Sequence, residues 1–167
     1  MYFFGITRNH WLGQIYFPLE FLFLALFYSK VLVGIVKKKW MMVIIVVFMA
    51  YCILNPIFLQ KFTQYSHVRS FSSILLIVFS ILYYYRIMTE ANIKKLVDEP
   101  MIWINTAILI NFSGVLFYNI LFTLLLEYSN DIAKQAAIFN AFLNVTFYFL
   151  IAVGFWKAGK QKKTVSS

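Results

Sequence analysis

The stretch WMMVIIVVFMAYCILNPIFL, residues 40–59, contains no charged side chain and directly follows three lysines, Lys37 to Lys39. A helix of about 20 mostly apolar residues is long enough to cross the hydrocarbon core of a bilayer. Lysines at the start of such a helix are typical of its cytoplasmic end. A helix also satisfies its own backbone hydrogen bonds in lipid. The stretch therefore predicts a membrane-spanning helix and an all-α fold.

Four more segments of this kind occur, at residues 13–36, 70–88, 101–126 and 135–156. The whole chain is 62% hydrophobic and only 13% charged. Soluble domains average about 45–50% apolar and about 25% charged residues, so the composition excludes an ordinary soluble domain. We therefore predict one polytopic membrane domain, residues 1–167, with about five spans and a basic tail at 157–167.

The basic residues orient the predicted bundle. The net charge is +9, but the charges sit at the ends of apolar segments rather than on one basic face, so nucleic-acid binding is not expected. Because basic residues favour the cytoplasmic side, the N-terminus is predicted outside and the C-terminus in the cytoplasm. The side assigned to the cytoplasm holds ten basic residues: Lys37, Lys38, Lys39, Arg86, Lys94, Lys95, Lys157, Lys160, Lys162 and Lys163. The opposite side holds Arg8, Lys61, Arg69 and Lys134.

Glu20 is the only carboxylate deep inside a predicted span, within YFPLEFLFLALFY at residues 16–28. Ionisable groups in spanning helices are costly and are candidates for function. As a functional residue, Glu20 would be a proton or cation site. As a structural residue, it would be protonated or paired with an asparagine or a tyrosine hydroxyl. Both interpretations fit the sequence.

Asparagines form the second group of polar residues in the predicted spans. Asn140 and Asn144 are one helical turn apart, Asn119 lies in the fourth span, and Asn55 precedes Pro56. With Glu20, they are predicted to line a cavity open to the outside. His67 and Arg69, assigned to a loop at 60–69, would lie at its mouth. The alternative is structural, because asparagines in membrane helices often hydrogen-bond to neighbouring helices.

The sequence shows no catalytic or metal-binding pattern. His10 and His67 have no second ligand at metal spacing, Cys52 is the single cysteine, and no nucleophile has a local histidine and carboxylate. We expect no cofactor, no metal and no enzymatic activity. In the segment 89–100, Ile93, Leu96 and Val97 fall at the helical spacing i, i+3, i+4, and Lys94 and Lys95 are polar. This pattern predicts a short helix on the inner membrane surface that can dock a partner.

Three segments carry a resemblance: FPLEFLFLALFY (17–28), SSILLIVFSILYYYRIM (72–88) and EPMIWINTAILINFSGVLFY (99–118). They resemble an uncharacterised family of small multi-pass integral membrane proteins of bacteria, with Pro-Leu-Glu in a first helix and Glu-Pro before a fourth. The resemblance implies a protein of the bacterial cytoplasmic membrane and transfers no activity. In that family further hydrophobic segments precede the Pro-Leu-Glu helix, which implies that this chain is an N-terminally shortened member or lacks an upstream start.

Two functional hypotheses follow. The first is a non-enzymatic sensory or scaffolding membrane module that acts through a membrane or cytoplasmic signalling partner. The second is a small transporter that works as a homo-oligomer and couples export to proton binding at Glu20. Aromatic neighbours of Glu20 would then contact the apolar part of a lipophilic cation.

Overall fold

The protein is described by a computed structural model that covers residues 10–58, 65–90, 98–128 and 130–165. These residues form five helices: α1 (His10–Val31), α2 (Lys38–Phe58), α3 (Tyr65–Glu90), α4 (Pro100–Tyr128) and α5 (Asn130–Val165). No strand occurs within the described ranges, so the predicted all-α class is confirmed. The chain divides into two compact units, residues 1–72 and 73–167, and the boundary falls inside α3.

Three helical segments are long and apolar enough to cross a membrane: Val68–Glu90, Pro100–Leu121 and Gln135–Gln161. They belong to α3, α4 and α5, and they agree with the predicted spans at 70–88, 101–126 and 135–156. The membrane class is therefore supported by three helices. The predicted spans at 13–36 and 40–59 overlap α1 and α2, and their crossing of a membrane stays a prediction.

The first unit is built on α1 and α2, which are joined by a tight turn. Gly34 has a φ of 104°, in the left-handed region that favours glycine. The backbone N–H of Leu32 still donates to Tyr28 O at 2.8 Å, and the chain then reverses before α2 begins at Lys38. For this reason α1 ends at Val31, five residues before the end of the predicted span at 13–36.

An aromatic cluster extends from the core of the first unit to its surface, where Tyr51 and Phe71 are exposed. The ring of Phe48 on α2 lies with its centroid 4.0 Å from that of Phe21 on α1 and 6.0 Å from that of Phe71 on α3. Tyr51 packs edge-on against Phe71 at 5.9 Å. Phe21 and Phe48 are each only 1% exposed. Aromatic pairs of this geometry contribute about 0.5–1.5 kcal/mol each beyond simple burial.

In the second unit, hydrogen bonds join α3 to α4. The Oγ of Ser80 lies 3.0 Å from Oδ1 and 3.2 Å from the backbone O of Asn105, and Asn105 Nδ2 donates to Ser80 O at 3.1 Å. Ser80 is fully buried and Asn105 is 1% exposed. One turn away, the hydroxyls of Tyr84 and Thr106 form a second interhelical hydrogen bond. Asn105 therefore has the structural role that was the alternative for asparagines in the spans: it hydrogen-bonds to a neighbouring helix.

Helices α4 and α5 pack closely because each has a glycine where the other helix approaches it. A Cβ added to Gly114 would lie 2.2 Å from Leu143 Cδ1, and one added to Gly154 would lie 3.2 Å from the backbone O of Pro100. Between these glycines, the rings of Phe112 and Phe147 meet edge to face, with centroids 6.4 Å apart. The three contacts place α4 and α5 side by side in opposite directions.

Replacing Asn105 with leucine is expected to lower the free energy of unfolding by about 1–2 kcal/mol, because it leaves the buried Ser80 hydroxyl with poorer partners. Equilibrium unfolding in mixed detergent micelles measures the change. Thr146→Val is the matched control, since the Thr146 hydroxyl donates only to Phe142 O of its own helix, at 3.0 Å. The double variant Ser80→Ala/Asn105→Leu should recover part of the loss. Equal stability of Asn105→Leu and Thr146→Val would contradict the role of this pair.

Candidate functional site

Glu20 lies half-buried on α1 beside a cation from another helix of its own unit. The hydroxyl of Tyr16 donates to Glu20 Oε1 over a long 3.5 Å, and Arg69 on α3 interacts electrostatically with the carboxylate. The Arg69 guanidinium carbon also lies 4.8 Å from the centroid of the Phe17 ring. Tyr16 thus contacts the carboxylate of Glu20, and the next residue on α1, Phe17, contacts the guanidinium of Arg69.

Arg69 is where the structure departs from the loop assigned to residues 60–69. Helix α3 begins at Tyr65, so Arg69 lies on a helix rather than in a loop at the mouth of a cavity. The polar run QKFTQYSHVR at residues 60–69 indicated a loop, because polar residues are typical of the segments between spans.

The structure brings three of the predicted asparagines onto two adjoining helices. Asn119 lies on α4, and Asn140 and Asn144 lie on α5. Asn144 Nδ2 donates to the backbone O of Asn140 at 2.9 Å, so this amide is engaged with its own helix. In contrast, Asn119 Nδ2 and Asn140 Oδ1 are buried without a hydrogen-bond partner among the described residues.

A fourth asparagine on the same two helices belongs with them. Asn111 is 4% exposed, and its Oδ1 also has no hydrogen-bond partner in the part of the chain that the structure describes. We call Asn111, Asn119, Asn140 and Asn144 the asparagine cluster. An unmade hydrogen bond of a buried polar group costs about 1–3 kcal/mol. Three such atoms on two helices mark the asparagine cluster as the leading candidate for a binding site.

For the other predicted site residues, the structure describes fewer contacts. The side chain of Asn55 and both Lys94 and Lys95 lie outside the described residues. Glu20 belongs to the unit 1–72 and the asparagine cluster to the unit 73–167, so their sharing of one cavity stays a prediction. Among the residues searched, no group of three histidine, cysteine or acidic side chains is placed to hold a metal ion.

Charged and polar contacts join the start of α4 to the end of α5. Lys157 Nζ lies 3.3 Å from Asp98 Oδ1 and 5.7 Å from the centroid of the Trp103 ring. Gln161 Nε2 donates to the backbone O of Asp98 at 3.0 Å. Helix α5 runs on to Val165, so the predicted basic tail is helical over most of its length. Its lysines and Gln161 are good helix formers, and the contacts with Asp98 hold the extension against α4.

No protein-family model, curated protein or solved structure matches the chain. The family resemblance of the three segments therefore stays a prediction.

If Glu20 and Arg69 form a pair, changes at the two positions are expected to be non-additive. Glu20→Gln and Arg69→Gln should each destabilise the protein, whereas the double variant should be less destabilised than the sum, by about 0.5–3 kcal/mol. Removing one partner leaves the other charge poorly solvated, and removing both does not. Unfolding in mixed micelles measures all four proteins. Additive effects would show that Glu20 does not depend on Arg69.

Proposed function

We propose that this chain is a non-enzymatic sensory or scaffolding membrane module that acts through a partner protein. The observation that carries the proposal is the arrangement of α4 and α5. One part of this helix pair bears the asparagine cluster, with buried amide groups that lack partners among the described residues. Its other end bears the contacts of Asp98 with Lys157 and Gln161.

The two ends are far enough apart to lie near opposite membrane surfaces. Asp98 and Asn119 are separated by about 30 Å along the chain at 1.5 Å per helical residue, which is close to the thickness of the hydrocarbon core. Gly114 and Gly154 allow α4 and α5 to pack closely. In the proposed sensor, a change of packing at the asparagine cluster shifts this helix contact and so alters the Asp98 end.

The output side of the proposal is the Asp98 end. Because basic residues favour the cytoplasmic side, the proposal has this end in the cytoplasm and the N-terminus outside. The bacterial cytoplasmic membrane is what the resemblance of the three segments implies. Lys94 and Lys95 precede Asp98 in the sequence, and the helical extension of α5 lies against it. These basic residues supply a docking surface for a signalling partner with an acidic face.

The first test of this function is crosslinking in native membranes, followed by mass spectrometry of proteins that co-purify with a tagged chain. We expect one stoichiometric partner with a cytoplasmic domain. Deleting the chain from Lys157 onward, or replacing Lys94 and Lys95 with glutamine, should release the partner while the protein stays in the membrane. Retention of the partner after both changes would contradict the proposal that these residues form the docking surface.

Asp98→Asn provides a sharper version of this test, because it removes the ion pair with Lys157 without deleting residues. We expect reduced recovery of the partner, and rescue by the exchanged pair Asp98→Lys/Lys157→Asp. Glu90→Gln is the matched control, since Glu90 forms an exposed ion pair of 2.8 Å with Arg86 inside α3. If Glu90→Gln reduces recovery as much as Asp98→Asn does, the loss reflects overall charge and not the α4–α5 contact.

The alternative is a small oligomeric transporter that couples flux to proton binding at Glu20. Its supporting observation is the half-buried position of Glu20 beside Tyr16 and Phe17 on α1. The electrostatic interaction with Arg69 favours the structural role instead, because a cation of the chain itself already stabilises the carboxylate. In proteoliposomes, transport predicts that Glu20→Gln abolishes proton-driven export of a lipophilic cation. Unchanged flux at several pH values would remove this alternative.

A further inference from the structure

The spacing of Asn119 and Asn140 makes them facing positions on α4 and α5. Asn119 comes seven residues after Phe112, and Asn140 comes seven residues before Phe147. Seven residues are nearly two helical turns, so each asparagine shares the helix face of its phenylalanine. Because the two phenylalanine rings touch and the helices run in opposite directions, the two asparagines lie at one level.

The two asparagines present complementary hydrogen-bonding atoms at this level. Nδ2 of Asn119 is a donor and Oδ1 of Asn140 is an acceptor, and neither has a hydrogen-bond partner among the described residues. An asparagine side chain is much shorter than a phenylalanine, so this pair fills less space than the ring pair two turns away. Asn105 shows the contrast, because its amide is fully engaged with Ser80.

The surroundings of these two atoms are mostly apolar. Val115 is 1% exposed and Leu143 is 7% exposed, and both lie within one turn of an asparagine of the cluster. Asn111, eight residues before Asn119 on α4, adds a second buried acceptor about 12 Å along the helix. A molecule that satisfies these groups must be lipophilic for most of its length and polar at few points.

We propose that Asn119 and Asn140 bind an uncharged lipophilic molecule through a hydroxyl or amide group. Asn119 Nδ2 donates to the oxygen of this group, and the group donates its hydrogen to Asn140 Oδ1. An ion would be attracted by only one of these two atoms and would lose its hydration among apolar neighbours, whereas a neutral hydroxyl or amide satisfies both atoms, so the guest is neutral. The inference rests on the proposed function and identifies the chemical class of the signal that the sensor receives.

The experiment uses three photoreactive probes of equal chain length with a diazirine in the chain: an octanol, an octane and an octylammonium. The full-length protein in lipid nanodiscs is irradiated with each probe, and the adducts are located by peptide mass spectrometry. We expect the octanol to label α4 and α5 near the asparagine cluster about tenfold more than the octane does, because only the alcohol gains the hydrogen bonds. Unlabelled octanol should compete, and unlabelled octane should not.

Leucine variants connect this labelling to the two side chains. Asn119→Leu and Asn140→Leu should each lower octanol labelling about tenfold, to the level of the octane probe. Neither should lower the thermal midpoint of the native protein, because each removes a buried polar atom that has no partner among the described residues. Thr146→Val is the control on α5 and should leave labelling unchanged.

Three results would overturn the proposal: equal labelling by octanol and octane, preferred labelling by octylammonium, or octanol labelling that survives both leucine substitutions. These measurements need no partner protein. If octanol does not label the site specifically but crosslinking recovers a partner, the ligand class is rejected and the sensor function is retained. Specific labelling without a recoverable partner rejects signalling through a partner and leaves the binding site standing.

Discussion

The reciprocal hydrogen bonds between Ser80 and Asn105 are the constraint on which the second unit depends. Lipid tails are as apolar as leucine, so spanning helices gain little from burying apolar surface against each other. A polar pair at one level therefore has a large influence on where two helices meet. This pair fixes the register of α3 on α4, and α4 carries the glycine contact with Leu143 that brings α5 close.

The same residue type has three different roles on α4 and α5. Asn105 is fully engaged with a neighbouring helix, and Asn144 is engaged with the backbone of its own helix. Asn111, Asn119 and Asn140 keep buried atoms without partners among the described residues. Since an unsatisfied buried amide costs stability, the three unsatisfied residues are the ones for which function is the better explanation. A search for polar residues in spans finds all five asparagines but cannot separate their roles.

Charge is arranged differently from the amides. Glu20 interacts electrostatically with Arg69 inside the first unit, and Asp98 forms an ion pair with Lys157 where α4 begins and α5 continues past its span. Exposed ion pairs such as the second contribute little stability, about 0–1 kcal/mol. Its importance is positional, because it joins the end of one apolar helix to the end of another. The proposed sensor combines a neutral binding site within the helix pair with a charged contact at its cytoplasmic end.

The apolar segments were predictable from the sequence because a spanning helix leaves a signal that is local and about 20 residues long. Pro100 at the start of α4 also follows a local rule, because the first turn of a helix needs no N–H at that position. The partners of Ser80, Arg69 and Lys157 were not predictable, because each contact joins different helices. Whether an asparagine side chain finds a hydrogen-bond partner depends on the register and rotation of two packed helices. Hydropathy carries no information about either. Sequence thus identified the membrane helices and their polar residues, while tertiary packing decided which polar atoms found partners.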